Sequence, residues 1–404
     1  MATSYAPDER GPRFAVVGVR DGRRVALFTA AARAAGLAAP RVVDWSRVLR
    51  AGAVFAPGET VRIDSPGEDV AAERALRGVD DPTRVEGTAR WYARFTSATA
   101  EVAEAARAAG AQLLDDPKEL AVLFDKRRCH GVLRAAGVPV PPSPTSLAPA
   151  APPRVPSTSA GGTDAVESAG ARAPVRGWED VRASLAGPGG LRRAFVKLAH
   201  GSSASGVLAV EWAGPGRVSA RTSVERSPDG RLFNSLRVRR YATEAEVAAL
   251  VDALAPDGLH VERWLPKASQ RGRAADLRIV VVGGRATHAV VRTSRSPMTN
   301  LHLGGARGEL AVARAATEAA GVAWGEVLGL AERAAACFPG TLCVGVDVLP
   351  GTGWRRFAVG EVNAFGDLLP RLTGLPGSGA EGLDTYGAQI AAVTTKERHH
   401  HATR

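Results

Sequence analysis

Cys343-Val-Gly-Val-Asp-Val-Leu-Pro-Gly-Thr-Gly-Trp-Arg-Arg-Phe-Ala-Val-Gly-Glu-Val-Asn363 is two apolar runs joined by a turn rich in Gly and Pro. Each run reads as a strand, and the pair reads as neighbours in a sheet. Side chains alternate faces along a strand, so Glu361 and Asn363 share one face, about 7 Å apart along the backbone. Asp347 can meet them from the neighbouring strand. Two carboxylates and an amide oxygen form a hard oxygen set of the kind Mg²⁺ takes, with phosphates and water filling its remaining positions. Two solvated acids on an open sheet face would give the same letters. The apolar neighbours favour the metal reading, because polar groups set among them are costly unless they bind something.

Working outward, Ala194-Phe-Val-Lys197-Leu-Ala-His-Gly-Ser-Ser-Ala-Ser-Gly206 is a strand ending in a lysine, followed by a small, flexible loop. The loop Gly201, Ser202, Ser203, Ala204, Ser205, Gly206 can turn backbone N–H groups toward a phosphate without side-chain obstruction, and Lys197 adds a point charge. A plain hairpin turn gives a similar pattern. GxxxxGK[ST] is absent and the loop leads into a strand, so it is not a P-loop. Next come Leu259-His-Val-Glu262-Arg263-Trp264-Leu265-Pro266, Asp276-Leu-Arg278-Ile-Val-Val-Val282 and His288-Ala-Val-Val-Arg292. These are apolar strands carrying isolated charges, and arginines there can grip carboxylate or phosphate oxygens in bidentate fashion.

The N-terminal part alternates strand, helix and strand, with Phe14–Gly18, a helix over 24–35 stopped by Gly36, and Arg41–Asp44. A small open α/β domain over 11–116 is expected, closed by a helix over Thr96–Ala109. Gly18-Val-Arg-Asp-Gly22 is not GxGxxG, so a dinucleotide site is poorly supported. A second domain is expected over 117–395, interrupted at 148–177 by a Pro/Ala/Ser/Gly segment too poor in large apolar side chains to order itself. Residues 396–404, with His399, His400 and His401, read as a flexible tail.

Bulk composition sets limits. The 404 residues are 45% apolar and 23% charged, as in globular proteins, with no long apolar run and no apolar region near Met1. A cytoplasmic protein without membrane contact is expected. Cys129, Cys337 and Cys343 are scattered and read as buried free thiols. The net charge of +11 comes almost wholly from dispersed arginine, without a dense basic tract or interleaved aromatics. It fits anionic small molecules better than nucleic acid, and no specific nucleic-acid partner is expected.

Taken in order, Asp125-Lys126, Lys197 with its Gly/Ser loop, Glu262, Asp276-x-Arg278, Arg292, Asn300 with Gly304-Gly305, Asp347 and Glu361-x-Asn363 resemble the ATP-grasp superfamily. The likeness spans roughly 117–370. The region from Asp276 to Glu309 and the Glu-Val-Asn strand look most like the branch of glutathione synthetase and the ribosomal-protein glutamate ligase. The resemblance implies an α+β grasp fold of two lobes with antiparallel sheets, preceded by a pre-grasp domain. It implies ATP phosphates on Lys126 and Lys197, adenine against Glu262–Leu265, and magnesium, as two ions for which Mn²⁺ can substitute, on Asp347, Glu361 and Asn363. Arg292 would stabilise a phosphorylated intermediate, with Arg278 near substrate and phosphates and Asp276 and Asn300 in the nucleotide site.

The implied reaction is Mg²⁺- and ATP-dependent joining of a carboxylate to an amine through an acyl phosphate. The substrates would be small molecules, or a peptide as acceptor. A nucleotide-binding sensor or scaffold of the same fold is the rival reading, and a homodimer stays open. The sequence departs from its relatives at Met298, where they often carry arginine, and at Ala364-Phe-Gly-Asp367. Both lie toward the substrate end.

Overall fold

A computed structural model describes residues 11–149, 174–187, 189–201, 205–299 and 303–402, with side chains described to 395. The first sheet is parallel, in the order β2-β1-β3-β4, from β1 (Arg13–Gly18), β2 (Arg41–Asp44), β3 (Glu59–Ile63) and β4 (Gln112–Leu113). Helices cover both its faces, which is why Phe14 to Val17 are apolar without alternation and all buried. The chain runs from β1 to β2 on one side and returns to β3 on the other. A crevice therefore opens at the carboxyl ends of β1 and β3.

The helix expected over Thr96–Ala109 spans Thr88–Ala108. Its early start has no local signal, since Gly87 offers no capping side chain. The cap comes from far along the chain: the Asp257 carboxylate accepts from the backbone N–H of Gly87 at 2.8 Å and of Ala89 at 2.9 Å.

The second sheet is antiparallel, in the order β8-β7-β6-β5-β9, from β5 (Arg193–Leu198), β6 (Leu208–Trp212), β7 (Val218–Arg226), β8 (Leu232–Tyr241) and β9 (Leu259–Arg263). The third contains β10 (Ser269–Gln270), β11 (Arg273–Val282), β12 (Arg285–Ser294), β13 (Ala306–Arg307), β14 (Cys343–Pro350) and β15 (Phe357–Asn363). Its order is β13-β12-β11-β14-β15, with β10 paired to β11. The fold is thus mixed α/β, with two antiparallel sheets after a parallel one, as expected. One short segment ties the two later sheets together: Pro139 O accepts from Val359 N at 2.7 Å and Pro142 O from Arg263 N at 2.8 Å.

Most of the expected disordered segment, residues 150–173, lies outside the described residues. Its last residues are anchored, with Val175 packed on the second sheet's core and Arg176 N donating to Asp180 at 2.9 Å. The final helix, Thr385–Ala402, runs on through much of the stretch read as a tail, because no Gly or Pro interrupts 388–402. Cys129 and Cys343 are buried free thiols, whereas Cys337 is half-exposed. Among the described residues no helix is long and apolar enough to cross a membrane.

A buried charge cluster joins the first sheet to the chain after β15. Arg62 Nη2 lies 2.8 Å from Asp367 Oδ2, and Arg24 Nη1 lies 2.5 Å from Asp367 Oδ1. Asp64 faces both arginines, at 3.5 and 3.7 Å. Burial pushes the neighbouring Asp115 carboxyl up to about 7, against the pull of Arg62. An acid whose folded pKa is raised stabilises the fold least where the unfolded chain ionises freely, so its contribution falls as pH rises from about 4 to 7. Asp115→Asn keeps an oxygen to accept from Ile63 N and removes this penalty. The variant's stability gain over wild type should be larger at pH 8 than at pH 5, by about 1–3 kcal/mol in urea unfolding. Equal gains at both pH values would show that Asp115 is charged in the fold.

Candidate functional site

Between the second and third sheets, under the helices of the first, lies a cleft of about 460 Å³. Asp125 caps the helix Lys126–Ala135, accepting from Arg127 N at 3.0 Å, and so fixes Lys126 at the cleft edge. Lys126 Nζ donates to Gly201 O at 2.8 Å and pairs with the Glu361 carboxylate. One ammonium thus bridges the glycine loop and the strand proposed for metal.

The floor is a ladder of charges set by strand register. Arg278 on β11 stands opposite Asp347 on β14, and Asp347 stands opposite Glu361 on β15. One row along, Asp276 stands opposite Arg292 on β12. Directly opposed side chains in antiparallel strands lie within about 5 Å at Cβ, so register alone makes these groups meet. Arg278 grips Asp347 with two donors, Nε at 2.5 Å and Nη2 at 3.1 Å. Arg292 reaches Asp347 at 3.0 Å and Asp276 at 2.8 Å. Burial works against the charge on Asp347, but Arg278 and Arg292 outweigh it and hold the carboxyl far below its usual range. A bulge follows at once, with Val348 opposite Val359, so Gly360 is left without a partner.

Asn363 completes the row. Its Nδ2 donates to Gly345 O at 3.2 Å, which commits the nitrogen and leaves Oδ1 as an acceptor at the cleft. The donor set therefore suits a hard divalent cation brought in with phosphates. Among the described residues no three acidic, His or Cys side chains form a metal cluster on their own. Two carboxylates and an amide leave most positions to the ligand.

The cleft also takes Lys197, Gly201, Glu262, Arg263 and Leu265. Gly206 and Trp264 do not line it. Gly206 has φ +67°, and a Cβ there would fall 2.4 Å from Leu198 Cδ1, so packing alone demands the glycine. Trp264 packs on Phe195, with the Arg193 guanidinium 3.8 Å above its ring. The Glu262 carboxylate pairs with Lys197 Nζ at 2.5 Å. Ser202, Ser203 and Asn300 lie outside the described residues.

The sequence reading passed over Lys267. Its Nζ sits 3.6 Å from Asp276 Oδ2 and donates to Thr299 Oγ1 at 3.0 Å, and Thr299 in turn bonds Asp276. Burial pulls the Lys267 ammonium below its ordinary range, against Asp276. Also unanticipated is the wall from the first sheet's helices, where Arg24, Glu73, Arg77 and Trp91 line the cleft. Glu73 accepts from Trp91 Nε1 at 2.9 Å. Only their distance from the lysines in sequence hid them.

No protein-family model and no curated protein matches the chain. Solved structures do. D-cycloserine synthetase DcsG superposes with a TM-score of 0.52 at 18% identity, over 94% of this chain and 98% of that one. The ATP-grasp ligase PsnB, complexed with a minimal precursor, Mg and ADP, gives 0.50 at 16% identity over 95% and 96%. This chain has the ATP-grasp fold. The macrocyclase MdnC of Microcystis aeruginosa MRC, bound with precursor peptide MdnA, gives 0.50 at 12% identity over 95% and 99%. ATP-grasp architecture accounts for the layout seen here, with one antiparallel sheet above the cleft, another below it, and a parallel sheet at one end.

Proposed function

We propose that the protein is an ATP- and Mg²⁺-dependent ligase that joins a carboxylate to an amine through an acyl phosphate. The observation that carries this reading is the in-register row Arg278, Asp347, Glu361, set beneath Lys126 and Lys197. A protein that only sensed a nucleotide would need the lysines but not a floor of alternating acids and arginines.

In this reading Lys126 and Lys197 hold the ATP phosphates, and Lys126 exchanges Glu361 for a phosphate when the nucleotide enters. Asp347, Glu361 and Asn363 Oδ1 would hold a Mg²⁺, which would supply positive charge to offset that of the transferring phosphoryl group. Arg292 and Arg278 neutralise the acyl phosphate oxygens as they form. An amine held on the wall of Arg24, Glu73, Arg77 and Trp91 then attacks the acyl carbon and releases phosphate. Positioning and charge account for both steps without a protein nucleophile. A cleft of about 460 Å³ admits the nucleotide with a small carboxylate, or with the end of a peptide. The same reading takes residues 11–116 as a pre-grasp domain and puts the enzyme in the cytoplasm.

The test is mass spectrometry of products after incubation with ATP, Mg²⁺ and a metabolite and peptide extract, alongside ADP release. A ligase should give a new species heavier than its carboxylate by the amine less water, with one ADP per bond formed. Nucleotide binding with no substrate-stimulated ADP release would instead identify a sensor.

A further inference from the structure

Beneath Lys197 runs a closed line of hydrogen bonds that leads out of the cleft. Glu262 Oε1 takes Lys197 Nζ at 2.5 Å, and Glu262 Oε2 faces His260 Nε2 at 3.3 Å. His260 Nδ1 in turn faces Thr145 Oγ1 at 3.0 Å. His260 and Glu262 are each 2% exposed.

The surrounding donors fix who gives to whom. A carboxylate can only accept, so His260 Nε2 carries the proton and donates to Glu262. Thr145 Oγ1 accepts from Val261 N at 2.9 Å and has one hydrogen to give, which suits a bare His260 Nδ1. The other acceptors in reach of Thr145 Oγ1, Ser143 Oγ and Val261 O, lie farther off at 3.1 and 3.3 Å. One neutral tautomer satisfies every member. Burial agrees, holding His260 below its ordinary range despite Glu262. Burial alone would raise the Glu262 carboxyl, yet Lys197 and the His260 bond bring it down to about 2.

We infer that His260 is a positioning residue of the nucleotide site: its Nε2–H locks Glu262, and Glu262 aims Lys197 into the cleft. This rests on the reading of the cleft as an ATP site. Without the His260 bond, the Glu262 carboxylate is free to rotate, and Lys197 loses its fixed direction. Thr145 anchors the line to the segment just before residues 150–173.

Two near-isosteric changes separate positioning from packing. In His260→Gln the amide nitrogen falls where Nε2 was and still donates to Glu262. In His260→Asn the shorter amide falls where Nδ1 was and leaves Glu262 unbonded. The full-length protein is titrated calorimetrically with Mg²⁺ and the non-hydrolysable ATP analogue AMPPNP, and each variant's melting temperature is recorded. His260→Gln should bind within about threefold of wild type, and His260→Asn about tenfold or more weaker, the scale of one hydrogen bond to a charged group. Equal affinities for the two variants would overturn the inference while leaving the ATP site standing. No AMPPNP binding by wild type would overturn both. Should His260→Asn fail to fold, Thr145→Val and Thr145→Ser ask the same question from the far end. Val should weaken binding severalfold and Ser should not, and equal binding would overturn the inference.

Discussion

Glu361→Gln should lower ADP formation by about 10²–10³, the usual loss on removing one well-placed electrostatic contact at a reacting centre. Glutamine keeps the length and one carbonyl oxygen, but not the negative charge that a divalent cation and its phosphates need opposite them. Stability should hardly change. The side chain is 28% exposed and its partner is the single ammonium of Lys126, a pair worth about 1 kcal/mol or less. Nucleotide affinity should fall less than the rate, since Lys126 then loses its acid partner Glu361 and is freer to meet phosphate. ADP formation is measured with the substrate found in the product screen, beside melting temperature. A stable Glu361→Gln with undiminished turnover would reduce the Glu-Val-Asn strand to scaffolding.

What could be read from the sequence was what local periodicity controls. The runs 343–349 and 357–363 are apolar strands around an unmistakable turn, so the shared face of Glu361 and Asn363, two residues apart on one strand, followed from strand geometry alone. Strand register was less accessible. That Arg278 meets Asp347 and Arg292 meets Asp276 depends on how three strands align, and one slipped residue would send these charges to opposite faces. Least legible were contacts between distant segments. Asp257 caps a helix that begins at Thr88, and Thr145 steers Glu262 through His260. His260 looks in the sequence like any histidine in an apolar strand. Lys267 was hidden for a related reason: a lone lysine after Pro266 reads as solvated, and only the fold closes Asp276 and Thr299 around it.

The same limit applies to Asp367, which the sequence marked only as a departure from related ligases. In the fold it holds the first sheet against the end of the cleft. Arg24 binds both its carboxylate and the carbonyl of Phe365 at 2.8 Å, two residues beyond Asn363. Gln389 adds a hydrogen bond at 3.0 Å and Arg62 a second ion pair. Burial opposes its charge, but Arg62 and Arg24 prevail and hold the carboxyl below its ordinary range. A depressed acid stabilises above its unfolded pKa and loses that contribution as pH falls, the reverse of Asp115.

Asp367→Asn should therefore destabilise the protein at pH 7 by about 3–5 kcal/mol, the cost of breaking a buried ion pair and leaving two buried guanidinium groups to share Asp64, and by less in acid. Urea unfolding at pH 7 and pH 4 measures both. The double variant Arg62→Met, Asp367→Leu separates charge from packing, because replacing a buried ion pair with apolar groups of similar volume is often neutral. It should recover most of the loss. Arg24 then holds the chain after Asn363 by the Phe365 carbonyl alone, so ADP formation should stay below wild type even in this restored fold, because the proposed metal ligand Asn363 has lost part of its tether. An Asp367→Asn protein within about 1 kcal/mol of wild type at pH 7 would show that the arginines find other partners and that the cluster holds nothing in place.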